Sequence, residues 1–440
     1  MIEERKSLFS ITIPIFLELL LVTIVGNIDT IMLGRFSDKA VGAVGGMSQI
    51  LFIQNTILSF ICLGTTILMA QFIGAKNYKS TKEVIAVSLI MNFFIALFLG
   101  ILYFWFWEWI LIKIKLPPNL REIGKNYFKL VGGLCIFQAI SLTSGSILKS
   151  YGNTKPMLFI NVGINLLNIL GNGMFIFGWF GAPILGVTGV GLSTVFSRFI
   201  GSLASLWIMT NYCKFSMGDF KRFTFEKVKK ILSIGIPTAG EHLTWSFTQV
   251  IILSIVNTMG TIEITARTYL ALVSSFIMIF TIALGQGTSI QVGQLVGANR
   301  KEKAYNQCLK SLKLSFFSAT FLSVVVYSFR YPIMELFTKD IAVVEATAKV
   351  FPWLIFIETG RTFNIVVISA LHAAGDIKFP MIMGCLVMLG VAAPLSWLLG
   401  IKFELALAGI WIANGTDEWI RGFAMLWRWK TRKWMSKGFI

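Results

Sequence analysis

Long apolar stretches separated by short polar ones fill almost the whole chain. Stretches long enough to cross a bilayer, about 20 residues each, can be read at 8–33, 44–73, 84–107, 127–148, 157–180 and 187–209. A second set follows at 231–257, 269–296, 310–330, 350–371, 380–400 and 405–427. Backbone in hydrocarbon has to satisfy its own N–H and C=O groups, so each stretch predicts a helix. The expected fold is an all-α polytopic membrane protein with twelve transmembrane helices in two pseudo-symmetric six-helix lobes.

The two sets repeat in one register. Ile13-Pro14 with Glu18 recurs as Ile236-Pro237 with Glu241, and "GTTILMAQFIGAKNYK" from Gly64 recurs as "GTSIQVGQLVGANRKE" from Gly287. Gly152, Lys155 and Arg198 recur as Gly375, Lys378 and Arg421. Every pair differs by 223 positions (237−14, 287−64, 375−152, 421−198). Chance would match Leu with Ile, but not Pro, Gln, Gly and buried charges at one offset. The expected domains are residues 1–209, a basic cytoplasmic linker at 210–230 ("TNYCKFSMGDFKRFTFEKVKK"), and 231–440 with a basic tail. A duplicated bundle commonly works at the interface of its repeats, so the pattern points to a transporter.

Composition narrows the class. Of 440 residues, 55% are hydrophobic and 14% charged, with a mean hydropathy of +0.75; soluble chains carry about 25% charged residues. The net charge of +18 does not read as nucleic-acid binding, because its placement follows topology. With both ends inside, the inward connections carry about twice the Lys and Arg of the outward ones, including Lys221, Arg222, Lys227, Lys229, Lys230, Arg428, Lys430, Arg432 and Lys433. That bias places both termini in the cytoplasm and the basic loops against anionic lipid. The expected location is the cytoplasmic (inner) membrane of a bacterium or archaeon. Cys62, Cys135, Cys213, Cys308 and Cys385 show no CxxC spacing and read as small apolar fillers. The start "MIEERKSLFSITIP" contains acids and no small-residue cleavage site, so it reads as a retained first helix. Pro117-Pro118 should end one helix before the next begins, and Gly74 and Gly297 should end theirs.

A charge in a bilayer costs roughly 2.5–3.5 kcal/mol even on insertion scales. The buried ionisable residues are therefore the shortlist: Glu18, Asp29, Arg198, Glu241, His242, Glu358, Arg361, Asp417, Glu418 and Arg421. Glu358 with Arg361, and Glu418 with Arg421, are three apart and can pair along one helix. Arg198 can snorkel toward the inner face. His242 beside Glu241 is either a proton-linked partner or a satisfied core histidine, and His372 at an inward helix end reads as structural. Pro14 and Pro237 are either first-turn prolines or helix bends that serve alternating access.

Asp29 stands apart, with no basic residue within one helical turn; Arg35 lies farther out. At about 1.5 Å rise per residue, Asp29 falls in the outer half of the first span. Asn168 and Asn172 rise about 17–22 Å on the fifth span, and Thr194 descends about 10 Å on the sixth. One carboxylate, two amides on one helix face and a hydroxyl at one level make an oxygen-rich site for a hard cation such as Na⁺. The same carboxylate could instead take a proton. The structural alternative is that the asparagines are hydrogen-bond links between helices.

These residues lie in motifs that resemble a known family. "P-x14-D-T-I-M-L-G-R" from Pro14 to Arg35, "AVGAVG", "AQFIGA" with its echo "GQLVGA", "GNTKP…N-x6-N-x3-N…FIFG" and "GVTGVGLST" together resemble multidrug and toxic compound extrusion (MATE) transporters. The resemblance covers essentially the whole chain. It implies two six-helix lobes around a V-shaped cavity, and export of bulky, often cationic compounds against entry of Na⁺ or H⁺. It also implies that Asp29 is a coupling-ion residue, with Asn168, Asn172 and Thr194 beside it. Some members carry Asp where this chain has Asn172, which leaves Asp29 as the sole acid of the site. Some relatives use acids in spans seven and ten. Glu241 and Glu358 lie in those spans, at different spacings from Pro237 and Gly375.

The resulting expectation is a Na⁺- or H⁺-coupled antiporter for organic cations or other amphipathic drugs, working as a monomer without a cofactor. Neutralising Asp29 would repack the first span and favour the state that releases substrate outward. Glu241, Glu358 and Glu18 are the candidates for substrate contact or a second-lobe ion site. The runner-up is a lipid-linked saccharide flippase, which would call for a strongly cationic cavity. An enzyme would need a nucleophile–base set or metal ligands, and two histidines in separate spans supply neither.

Overall fold

The computed structural model describes residues 7–25 and 28–440. The first six residues, and residues 26–27 in the middle of the first predicted span, lie outside it. Among the described residues the chain is helical throughout its apolar stretches and contains no strand. The first half contains α1 (Leu8–Val25), α2 (Ile28–Gly34), α3 (Asp38–Gly74), α4 (Tyr78–Lys113), α5 (Pro118–Gly133), α6 (Ile136–Ser150), α7 (Lys155–Phe177) and α8 (Val187–Cys213). The second contains α9 (Phe225–Asn257), α10 (Thr261–Gly297), α11 (Lys301–Ser328), α12 (Arg330–Glu335), α13 (Ile341–Ala348), α14 (Phe351–Ala374), α15 (Lys378–Val387), α16 (Ala393–Trp397) and α17 (Ala406–Lys430).

Each predicted span coincides with a helix or a broken helix. Among the described residues eight helices are long and apolar enough to cross a membrane, nine when α5 and α6, bent by 41°, count as one. Helices α1, α9 and α17 occupy the remaining three positions. α9 and α17 are long enough but more polar, and α17 carries Asp417, Glu418 and Arg421 within its length. From Lys378 to Lys402 one span of 25 residues passes through two π-helical stretches, the first just before Pro394, where a proline N–H is missing from the ladder. Pro118 opens α5 at its first position. Pro14 and Pro237 lie inside α1 and α9, past the first turn, so each removes one interior N–H···O=C bond.

The repeated glycines have distinct reasons. Gly152 and Gly375 adopt φ of 73° and 94°, the left-handed conformation that ends a helix at little cost only for glycine. Gly74 and Gly297 end α3 and α10 and are required by packing. A Cβ on Gly74 would stand 2.0 Å from the Gln294 carbonyl oxygen, and one on Gly297 1.9 Å from that of Gln71. Gln71 and Gln294 are themselves 223 apart (294−71), so the contact is reciprocal. Gln71 donates to the Ala373 carbonyl at 2.7 Å and accepts from the Phe439 N–H at 2.9 Å. The repeated "AQFIGA" and "GQLVGA" motifs are thus a backbone-on-backbone contact.

The helices form two compact units. One comprises Leu17–Met69 and Asn77–Gly235; the other comprises the chain up to Phe16, Ala70–Lys76 and Ile236–Ile440. The core of the first gathers Met32, Leu33, Met47, Trp107, Phe128 and Val190. That of the second gathers Ile252, Leu270, Phe351, Leu354 and Trp411, with a further cluster around Leu371, Trp429 and Trp434. Large apolar side chains such as Phe98, Trp105, Phe247 and Phe321 are exposed, as suits a chain whose solvent is hydrocarbon.

The basic segment at 210–230 falls within the first unit and is pinned by its one buried acid. Asp219 accepts from the Ser216 N–H at 2.9 Å, from Lys82 Nζ at 2.9 Å and from Arg222 Nε at 2.9 Å. The Ser216 N–H and the Lys82 ammonium hold the Asp219 carboxyl down to about 2, below the ordinary 3.8. A depressed carboxylate contributes stability above its unfolded pKa and loses it as pH falls through the folded one. Asp219→Asn should therefore be less stable than the parent protein at pH 7, by a margin constant down to about pH 5 that closes between pH 4 and 2. Thermal unfolding of both proteins across that range checks it.

Candidate functional site

The four first-half site residues meet within one unit. Asn172 Nδ2 donates to Asp29 Oδ1 at 2.6 Å and to Asn168 Oδ1 at 3.3 Å. Asn168 Nδ2 donates to Thr194 Oγ1 at 3.2 Å, and the Thr194 hydroxyl donates to the Val190 carbonyl at 2.8 Å. Asp29 sits in the first turn of α2 and is half-buried; Asn168, Asn172 and Thr194 are buried. Close approach of α7 and α8 brings the group together, because a Cβ on Gly171 would stand 2.6 Å from Ser193 Oγ. The oxygens of Asp29, Asn168, Asn172 and Thr194 are the donor set of a hard cation, with no imidazole or thiolate among them. Asn172 Oδ1 is buried and has no hydrogen-bond partner among the described residues. Arg198, which α8 carries one turn beyond Thr194, lies within electrostatic reach of Asp29 and Tyr127.

Glu18 has partners that its own helix does not supply. Its Oε1 accepts from Lys149 Nζ at 2.8 Å and from Asn161 Nδ2 at 3.0 Å. Neither partner was evident from local spacing, since they lie 131 and 143 positions away.

In the second unit the acids and arginines form one network across α14 and α17. Arg361 donates to Glu358 Oε1 at 2.5 Å and to Glu418 Oε1 at 3.3 Å. Ser274 on α10 also donates to Glu358. Asn364 donates to Glu418 Oε2 at 2.6 Å, and Arg421 lies 3.3 Å from that same oxygen. The expected intrahelical pairs are both present, but the closest partner of Arg421 is Asp417, bound through both carboxylate oxygens. Gly360 and Gly422 permit the approach: a Cβ on Gly360 would stand 2.9 Å from Trp419 Cδ1, and one on Gly422 2.7 Å from Phe363 Cβ.

Glu241 is arranged differently from expectation. His242, its chain neighbour, is exposed rather than a core histidine. The imidazole facing Glu241 is that of buried His372, at 3.7 Å. Adjacent residues on a helix point about 100° apart, so the Glu241 and His242 side chains leave α9 in different directions. A groove of 370 Å³ is lined by Ser7, Gln291, Gln294, Gln307 and Lys310 among others, and it shares no residue with these clusters. Among the described residues no three His, Cys, Asp or Glu side chains converge on a point where they could hold a metal ion.

Two runs of membrane helices in one repeated register, with carboxylates, amides and guanidiniums buried in hydrocarbon, define a polytopic membrane transporter. The comparisons with known proteins give the family. The MatE family profile matches residues 14–174 and 237–398, so its two copies begin 223 residues apart, at Pro14 and Pro237. The chain is 40% identical over 438 residues to the uncharacterized transporter YisQ of Bacillus subtilis, covering 99% of this chain and 96% of that one. It is 25% identical over 447 residues to the probable multidrug resistance protein NorM of Thermotoga maritima, covering 100% and 95%. Solved structures share the fold. A MOP-superfamily transporter from Pyrococcus furiosus aligns with a TM-score of 0.87 at 18% identity, over 98% of this chain and 95% of that one. An outward-facing multidrug resistance MATE transporter aligns with a TM-score of 0.88 at 18% identity, again over 98% and 95%. The chain belongs to the MatE, or multidrug and toxic compound extrusion, family of efflux transporters, and it is a transporter rather than an enzyme.

Removing one member of a buried ion network leaves its partner uncompensated, at about 3–5 kcal/mol. Arg421→Leu should lose about that much stability, and adding Asp417→Leu should restore part of it. A double-mutant cycle by unfolding in detergent measures the coupling, and additive losses would contradict the pairing.

Proposed function

We propose that the chain exports bulky, cationic or amphipathic drugs from the cytoplasm in exchange for an inward-moving Na⁺ or H⁺, as a monomer in the cytoplasmic membrane with both termini inside. The observation that supports this reading most is the hydrogen-bonded run Asp29–Asn172–Asn168–Thr194. Asp29 is an acid with no directly bonded cationic side chain among the described residues. Its hydrogen-bond partner, Asn172, is an amide that can reverse its role. With Nδ2 toward it, Asn172 serves an ionised Asp29. With the amide turned over, Oδ1 accepts from a protonated Asp29 or joins a bound cation.

Either ligand neutralises the site, and the resulting change in how α2 and α7 pack gives the ion different affinities for the two conformers. That difference is the whole of what an ion can contribute to driving a conformational change. A cationic cargo suits the second half, where three carboxylates (Glu358, Asp417, Glu418) meet two guanidiniums (Arg361, Arg421) and Glu241 adds a further acid. A pyrophosphate-bearing lipid would call for the opposite balance. Pro14 and Pro237, inside their helices, are the positions we assign to bending during alternating access.

Cells carrying Asp29→Asn at normal surface expression should lose resistance to toxic organic cations, by roughly tenfold or more in inhibitory concentration if the carboxylate supplies about 1.4 kcal/mol or more of coupling. Undiminished resistance would contradict the assignment.

A further inference from the structure

The 223-residue offset places one buried carboxylate site on another, and the two are built from different groups. Glu18 corresponds to Glu241 (241−18), Lys149 to His372 (372−149) and Asn161 to Gly384 (384−161). In the first half a permanent ammonium and an amide both donate to Glu18. In the second half Glu241 Oε2 stands 3.7 Å from His372 Nε2, beyond hydrogen-bond reach. Both atoms are buried, and neither has a hydrogen-bond partner among the described residues.

Gly384 occupies the place of the asparagine. A Cβ there would stand 3.4 Å from Glu241 Cγ and 3.2 Å from the Met388 methyl, so the glycine faces the carboxylate directly and supplies no donor. The charged groups that reach Glu241 through space are Arg421 and Glu418 on α17, opposite in sign. His242 is the titratable group that reaches His372. Arg421 is already engaged by Asp417.

We propose that Glu241 and His372 form a proton-binding site in the second half of the protein. The first half carries its compensating charge permanently, on Lys149. Here the same charge arrives as a proton: one H⁺ from water joins the imidazole, His372 Nε2–H then points at Glu241 Oε2, and no other bond changes. The ligand class follows from the donors. Na⁺ favours an all-oxygen shell, and two side chains fall short of a divalent site. The enclosed atoms exclude a bulky ammonium. This site is separate from the Asp29 assignment, and its test does not depend on export.

The chain has two histidines, His242 and His372, so His242→Gln leaves one imidazole to observe. In full-length protein labelled with ¹⁵N-histidine and held in nanodiscs, the His372 ring signals should titrate between about pH 4 and 9. Adding Glu241→Gln should move the midpoint by about one pH unit or more. An unmoved midpoint, or no titration in that window in either protein, overturns the proposal. A second variant, His372→Lys with Gly384→Asn, rebuilds the first-half arrangement. Potentiometric titration over the same range should then count about one proton fewer than in the parent, and an equal count overturns the proposal.

Discussion

Hydrocarbon does not solvate a carboxylate, so whatever stands beside each buried acid decides its role. Glu18 meets Lys149 and Asn161. Glu358 and Glu418 share Arg361, and Asp417 holds Arg421. Each of these acids has a permanent cation beside it. Asp29 bonds to an amide and Glu241 faces an imidazole. Neither partner carries a fixed charge, and these are the two acids at which we propose that a small cation or proton binds.

Duplication sets the backbone, and substitution within it sets the chemistry. The glycines that turn or pack the chain recur because both halves need the same geometry at Gly152 and Gly375 and the same close contact at Gly74 and Gly297. The polar partners do not recur. The position equivalent to Asp29 is Ile252, buried in the second core. Lys149 and Asn161 become His372 and Gly384. The repeat therefore doubles the frame while giving the buried acids of each half different partners.

The spans and the Asp29 site were legible in the sequence for physical reasons. Membrane helices have a fixed rise and a known crossing direction, so counting residues along three spans brought Asp29, Asn168, Asn172 and Thr194 to one depth. Counting could not say that Asn172 bridges Asp29 and Asn168, because that depends on rotation about α7 and on Gly171 letting α8 approach. Pairs within one helix, such as Glu358 with Arg361, were legible from spacing. The link from Arg361 to Glu418 was not, since it spans two helices 57 positions apart. The residue facing Glu241 was legible from the offset, because Lys149 plus 223 is His372.

The central claim is that occupancy of Asp29 by a cation or proton drives export. Purified protein in liposomes, given a fluorescent organic cation and either an imposed Na⁺ gradient or an imposed pH gradient, tests it directly. The account predicts substrate accumulation against its own gradient under one of the two conditions in the parent protein and under neither in Asp29→Asn. Gradient-driven accumulation that survives in Asp29→Asn would contradict it.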